Sequence, residues 1–279
     1  MKERVVFQDF NTLWAQHVAS SESLRMKDDR EEQNFWQRFM ARKDSYAPDP
    51  SSRPVAAALL ERMAKFGVKT ALEFGPGWGN YTIDLARVCR QVACVDISQD
   101  VLDFVLKIGA KQDCQNITTY HSKWEDFSPD RPYDLVFGYN CFYRQADLRA
   151  CFARMDRCAQ KLCVAGMNTG LAPQWVHDLD AAGFKVSWEW KDYIYFVGVL
   201  YQMGIDPDVQ ILPFKKEFIY PDEDALVKGE CSRLKLDEQN AGEIQDILLH
   251  NFQRREDGSL WAEAHYRSAL VSWIPIHGC

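Results

Sequence analysis

Three glycines at alternate positions, Gly75, Gly77 and Gly79, follow a short apolar run, and a carboxylate, Glu73, stands two positions before the first of them. Glycine takes positive φ at no steric cost and lets the backbone come close to a ligand. A helix is expected to open at Asn80, and the N–H groups of a helix start can face a carboxylate or phosphate. A second apolar run, 92–95, closes on Asp96, seventeen positions after Gly79. In an open parallel sheet, ligands bind beyond the carboxyl ends of the strands, where the strand order reverses. A carboxylate at the tip of the second strand can accept both hydroxyls of an adenosine ribose. The glycine turn and the acidic tip together define a nucleoside site; neither does so alone.

The spacing discriminates between nucleosides. A dinucleotide fingerprint needs G-x-G-x-x-G, and here Asn80 occupies the place of its last glycine. Glu73 would repel a pyrophosphate but suits the ammonium group of a methionine moiety. The turn therefore favours S-adenosylmethionine over a nicotinamide dinucleotide, which leaves an NAD-dependent oxidoreductase as a weaker rival.

Taken together, these segments resemble the class I S-adenosylmethionine-dependent methyltransferases. Residues 73–79, EFGPGWG, resemble the family's first motif, E/D-x-G-x-G-x-G, and residues 95–98 resemble its second. Residues 122–127 stand where the family often has an adenine contact after the third strand, and residues 133–137 resemble its fourth strand. The resemblance covers about residues 30–167. It implies a turn of Gly75, Pro76 and Gly77 along the methionine and ribose, with Glu73 orienting the amino group directly or through water. It implies Asp96 on the ribose hydroxyls, Ile97 on adenine, and either the Lys123–Trp124 backbone or the Trp124 ring at the adenine edge. Asn140 would face the sulfonium. Lys123 stands where the family often has an acid, so a side-chain contact to adenine would fall to Glu125 or Asp126. Residues 34–41 with Tyr46 resemble the F-W-x-x-x-A…Y lead-in of many small-molecule methyltransferases, which folds over the cofactor. A docked helix whose aromatics only pack would use the same anchors.

Alternating strands and helices must position these groups. Apolar runs at 69–74, 91–95, 116–120, 133–138 and 161–165 read as strands, with helices at 81–88, 101–108 and 147–159 between them. This pattern predicts an α/β fold, a Rossmann-like, mostly parallel seven-stranded sheet with helices on both faces. Residues 1–50 read as a helical arm or lid anchored by Phe7, Phe10, Trp14, Phe35, Trp36 and Phe39, and the breaker cluster at 47–54 separates it from a cofactor-binding domain at 51–279. The charge run 28–33 reads as a solvated helix face. Beyond residue 172, a helix at 173–182 and strands at 185–190, 209–220 and 266–274 are expected. Helices at 222–227 and 237–252 then make a cap insertion of about 221–258.

Methyl transfer from a sulfonium is an in-line displacement, so positioning is the protein's main task and a proton acceptor is optional. The candidates for direct chemistry are Tyr139, Cys141 and Tyr143 after the fourth strand and His121 after the third, each with a packing alternative. Trp175, Trp188, Trp190, Tyr193 and Tyr195 would suit a flat acceptor or equally a plain core. The arm and insertion suggest an enclosed pocket, hence a small-molecule acceptor. A net charge of −7 with no basic run disfavours nucleic acid. A protein or RNA acceptor and a non-catalytic S-adenosylmethionine-binding regulator remain alternatives. The nine cysteines include no C-x-x-C pair and no zinc-ligand spacing, so no metal is expected, and reduced thiols fit a cytoplasmic protein. Neither a signal peptide nor a membrane span is expected.

Overall fold

The computed structural model describes residues 8–21, 23–43, 45–169, 172–188, 192–237 and 240–276. Phe7 and Trp190, expected as packing residues, lie outside the described residues. Two compact units are formed. One takes the chain up to residue 167 with residues 192–212 and from 269 onward; the other takes 168–191 and 213–268.

In the first unit, β1 (Thr70–Phe74), β2 (Gln91–Asp96), β3 (Ile117–His121), β4 (Tyr133–Tyr139) and the start of β5 (Ala159–Thr169) pair in parallel. The strand order is β3-β2-β1-β4-β5-β8-β6, with β6 at Asp208–Tyr220 and β8 at Leu260–Trp273. A two-residue strand, β7 (Gln253–Arg254), pairs antiparallel with β8, so among the described residues the sheet has eight strands, against the seven expected. The α/β architecture and the mostly parallel sheet are as expected.

The alternation of strand side chains divides the core in two. Leu72 and Phe74 of β1, Ala93 and Val95 of β2, and Val136 of β4 join one apolar cluster. Ala71, Val92, Cys94, Leu135 and Phe137 join the other. The second face is covered by α4 (Arg53–Lys65), α5 (Thr82–Val88) and α6 (Gln99–Lys111), through Leu59, Ile83 and Val105 among others. The first is covered by α1 (Phe10–Ser20), α7 (Leu148–Cys158) and α9 (Ile194–Gln202), through Trp14, Phe152 and Phe196.

The arm is tied down at α1. Phe10 lies where a side chain at Gly198 would point, 2.3 Å from the position of a Cβ there. Trp14 Nε1 donates to the Gln145 carbonyl at 2.6 Å. A short helix, α2 (Leu24–Lys27), and then α3 (Asp29–Met40) follow, with the Asp28 carboxylate capping α3 by accepting from the N–H groups of Arg30 and Glu31. Asp28 and Arg30 of the 28–33 run are exposed, as a solvated face requires, but the run is not solvated throughout. Glu32 within it is only 1% exposed, because partners from α2 and from beyond β4 surround its carboxylate.

The second unit has its own core, in which Trp175, Leu179, Leu226, Leu248 and Phe252 pack together. Its helices are α8 (Gln174–Ala181), α10 (Glu223–Leu234) and α11 (Ala241–Asn251). Residues 185–188 carry no strand, against expectation, and 189–190 lie outside the described residues. Trp175 is a core residue of this unit, with its indole N–H donating to the buried Glu230 carboxylate at 2.8 Å. Tyr195, in the first unit, packs edge-on against Trp14. No helix among the described residues is long and apolar enough to cross a membrane.

Candidate functional site

The parallel register sets the carboxyl tips of β1 and β2 side by side, with Phe74 opposite Val95. Beyond the tip of β1 the chain turns through Gly75, Gly77 and Gly79, all at positive φ (64°, 54° and 80°). Gly75 N–H donates to the Val95 carbonyl at 2.9 Å, which ties the turn to β2. A Cβ on Gly75 would lie 2.5 Å from the Cβ of Cys141, so this residue must be glycine for conformation and for space alike.

Glu73 is 2% exposed, and its Oε2 accepts from the Thr82 hydroxyl at 2.7 Å. Burial pushes its carboxyl up to about 7, against the lowering effect of Thr82. Asp96 is 8% exposed and accepts from the Ser98 N–H at 2.8 Å. Burial raises it to about 7 as well; the Ser98 N–H opposes the shift and the nearby Glu32 carboxylate adds to it. Two carboxylates are thus held in low-dielectric surroundings at adjacent strand tips, where a ligand ammonium or hydroxyl would favour their ionised forms.

The tip of β3 joins the same rim. His121 stands opposite Asp96 in register, and its Nε2 lies 2.8 Å from the Ile97 carbonyl. Ser122 N–H donates to the Asp96 carbonyl at 3.0 Å. Lys123 forms an ion pair with Asp29 of α3, so its side chain is turned to the arm. The Trp124 ring is stacked on Phe74, with centroids 4.4 Å apart, and lies in the core. That corrects the expectation of the ring at an adenine edge and leaves only the backbone of 123–124 for such a contact. Glu125 and Asp126 are exposed in the turn that follows.

Beyond β4, Asn140 sits at φ 53° and its N–H donates to the Gly166 carbonyl at 2.9 Å. Tyr139 packs against the Tyr81 ring, with centroids 5.1 Å apart. Cys141 packs on Gly75, and burial pushes its thiol well above the usual range, so the thiol is protonated at neutral pH. Burial likewise raises the Tyr143 phenol, whose hydroxyl donates to Glu32 Oε1 at 2.5 Å. Asn140, Cys141 and Tyr143 gather at the tip of β4, whereas His121 lies on β3. With β1 and β2 between them in the sheet, that is three strand spacings, or roughly 14 Å. His121 and the β4 group are therefore too far apart to act on one reacting atom.

The arm supplies Trp36, from the 34–41 lead-in, together with Gln33 and Glu32, which no motif contains. Gln33 Nε2 donates to the Ile97 carbonyl at 3.2 Å. Trp36 brings its ring carbon Cη2 to 3.5 Å from where a Gly77 Cβ would lie, and its Nε1 donates to Glu32 at 2.7 Å. For Trp36 the sequence signal was the lead-in itself; for Glu32 it was the spacing from Trp36, four residues apart on one helix face.

These residues fit S-adenosylmethionine. Trp36 lies within ordinary contact distance, 3.5 Å, of where a side chain at Gly77 would begin, and the two buried carboxylates, Asp96 and Glu73, are acceptors of the kind that ribose hydroxyls and an ammonium call for. Comparison with known proteins agrees. Residues 71–161 match the family model described as a methyltransferase domain. A protein of Haemophilus influenzae described as uncharacterized is 24% identical over 226 residues, covering 77% of this chain and 80% of its own length. A Bacillus halodurans structure assigned as a methyltransferase superposes with a TM-score of 0.54 at 14% identity, covering 79% of this chain and 98% of that one. A Galdieria sulphuraria structure assigned as a sarcosine dimethylglycine methyltransferase gives 0.50 at 14% identity, covering 90% and 99%.

Proposed function

We propose that this chain, whose residues 71–161 match a methyltransferase domain, is a class I S-adenosylmethionine-dependent methyltransferase that transfers a methyl group to a small-molecule acceptor, with its site at the tips of β1, β2 and β4. The observation that carries this reading is the left-handed glycine turn flanked by two buried carboxylates and overlain by α3. The bound cofactor supplies a methyl group already activated on a sulfonium. Asp96 holds the ribose hydroxyls. Glu73, anchored by Thr82, holds the amino group. Gly75, Pro76 and Gly77 let the backbone run along the methionine and ribose, and Ile97 packs on adenine with the backbone of Lys123 and Trp124 at its edge. Asn140 orients the sulfonium side.

The Cys141 thiol and Tyr143 phenol are both raised by burial and so hold their protons at neutral pH. In this reading no side chain of the β4 tip removes a proton, and the acceptor attacks with its own lone pair. The protein's contribution is alignment and the exclusion of water by the arm. The enclosing arm favours a small acceptor over a macromolecule, and a sarcosine dimethylglycine methyltransferase is among the proteins of similar fold. The free, mostly buried cysteines among the described residues support a cytoplasmic location in this reading.

The test is calorimetric titration with S-adenosylhomocysteine and, separately, NADH, followed by a screen of small amines, carboxylates and phenols with methyl-labelled S-adenosylmethionine. Binding of S-adenosylhomocysteine alone and label on a small acceptor are expected. NADH binding alone would defeat the cofactor assignment. Tight binding with no transfer to any acceptor class would favour a non-catalytic regulator.

A further inference from the structure

We propose that Glu32 is a positioning residue that couples closure of the arm over the cofactor site to the setting of the loop after β4. The inference rests on the methyl-transfer reading. Glu32 is almost fully buried, and its carboxylate gathers donors from three separate segments. Arg25 of α2 gives Nε at 2.8 Å and Nη2 at 3.2 Å. Trp36 of α3 gives its indole N–H at 2.7 Å. Tyr143, beyond β4, gives its hydroxyl at 2.5 Å. Arg25 is held in turn over the Phe35 ring, 3.3 Å from its centroid.

Each donor leads to a different part of the site. Trp36 reaches the Gly77 turn. Tyr143 is two residues from Cys141, which packs on Gly75. Arg144, next in the chain, bonds the Arg25 and Asp28 carbonyls and the Asp29 carboxylate. A single carboxylate therefore joins the wall of the site to the loop that would face the reacting atoms, and all its partners meet only when α2, α3 and that loop are together.

The chemistry suits a reversible contact better than a permanent one. A buried ion pair is often no more stabilising than apolar residues of the same volume, whereas removing one partner is strongly unfavourable. A segment docked for good would be held as firmly by an apolar plug. A charged hub rehydrates when the arm lifts and is satisfied only in one register when it returns. The outer contacts, Lys123 with Asp29 and Gln33 with the Ile97 carbonyl, involve more exposed groups and contribute less.

The experiment measures the dissociation rate of S-adenosylhomocysteine by stopped-flow tryptophan fluorescence in the full chain, with Glu32→Gln and Tyr143→Phe, alongside limited proteolysis of residues 20–30 with and without ligand. We expect dissociation to quicken about tenfold or more in Glu32→Gln and several-fold in Tyr143→Phe. Ligand protection of the arm should weaken in the same order; Glu32→Gln, which leaves Arg25 without its charged partner, should also lower the thermal midpoint, whereas Tyr143→Phe keeps that ion pair and a midpoint near the parent's. A purely structural role would lower the midpoint and leave the dissociation rate alone. Rates within twofold of the parent in both variants overturn the inference while leaving the cofactor reading intact. Absence of binding in the parent chain overturns the cofactor reading and the inference with it.

Discussion

Replacing Asp96 by asparagine should move stability and affinity in opposite directions. The folded carboxyl sits at about 7 against an ordinary value of 3.8, because burial disfavours its charge. A folded value above the unfolded one means that the folded chain binds the proton more tightly. That contribution is present at low pH and is lost progressively as pH rises from about 4 to about 7. The difference of roughly three pH units, at about 1.36 kcal/mol each, amounts to roughly 4 kcal/mol of charge-burial penalty at pH 8. The asparagine side chain has no charge to bury, and its Oδ1 can still accept the Ser98 N–H that Asp96 accepts at 2.8 Å. Urea unfolding should therefore find the variant more stable than the parent at pH 8, with the gap closing towards pH 4. Calorimetry should show S-adenosylhomocysteine affinity weakened by about 1.5–3 kcal/mol, or roughly tenfold to 150-fold, the worth of a charge-assisted hydrogen bond. A variant that is less stable at pH 8 and binds as tightly as the parent would refute both the burial argument and the assignment of the ribose to Asp96.

Two further outcomes are expected. Because Glu73 and Asp96 both sit at about 7 and both favour ionisation when a ligand supplies donors, S-adenosylhomocysteine binding at pH 6.5 should release protons. Calorimetry in buffers of different ionisation enthalpy reads this directly; release should vanish at pH 9, and proton uptake at pH 6.5 would contradict it. Gly75→Ala should lower stability by about 1–3 kcal/mol and abolish tight binding, since its Cβ would meet that of Cys141 at 2.5 Å; adding Cys141→Gly should restore part of both, and no restoration would locate the strain elsewhere.

Much of the fold is legible because its determinants are local. The apolar runs at β1, β2, β4 and β5 and the amphipathic pattern of α6 follow from residues within a few positions of one another. The reading fails where a distant segment decides. The content of 185–188 resembles a strand, but these residues carry none in the structure. Trp124 stands at an adenine-edge position in the motif, but its large apolar ring is drawn down onto Phe74. Glu32 reads as one more charge in a solvated run, because its phenolic partner lies 111 positions further along the chain.

The sequence by itself determined the strand–glycine-turn–helix unit and the acid at the end of the next strand, since backbone freedom at glycine and the alternation of apolar residues are properties of the local chain. Only the tertiary structure decided what those groups experience. The carboxyls of Glu73 and Asp96 rise because other segments remove water from them, and Glu32 becomes a hub because α2, α3 and the loop after β4 converge on it. Desolvation and partner choice depend on all that surrounds an atom, and for these groups most of those surroundings come from elsewhere in the chain.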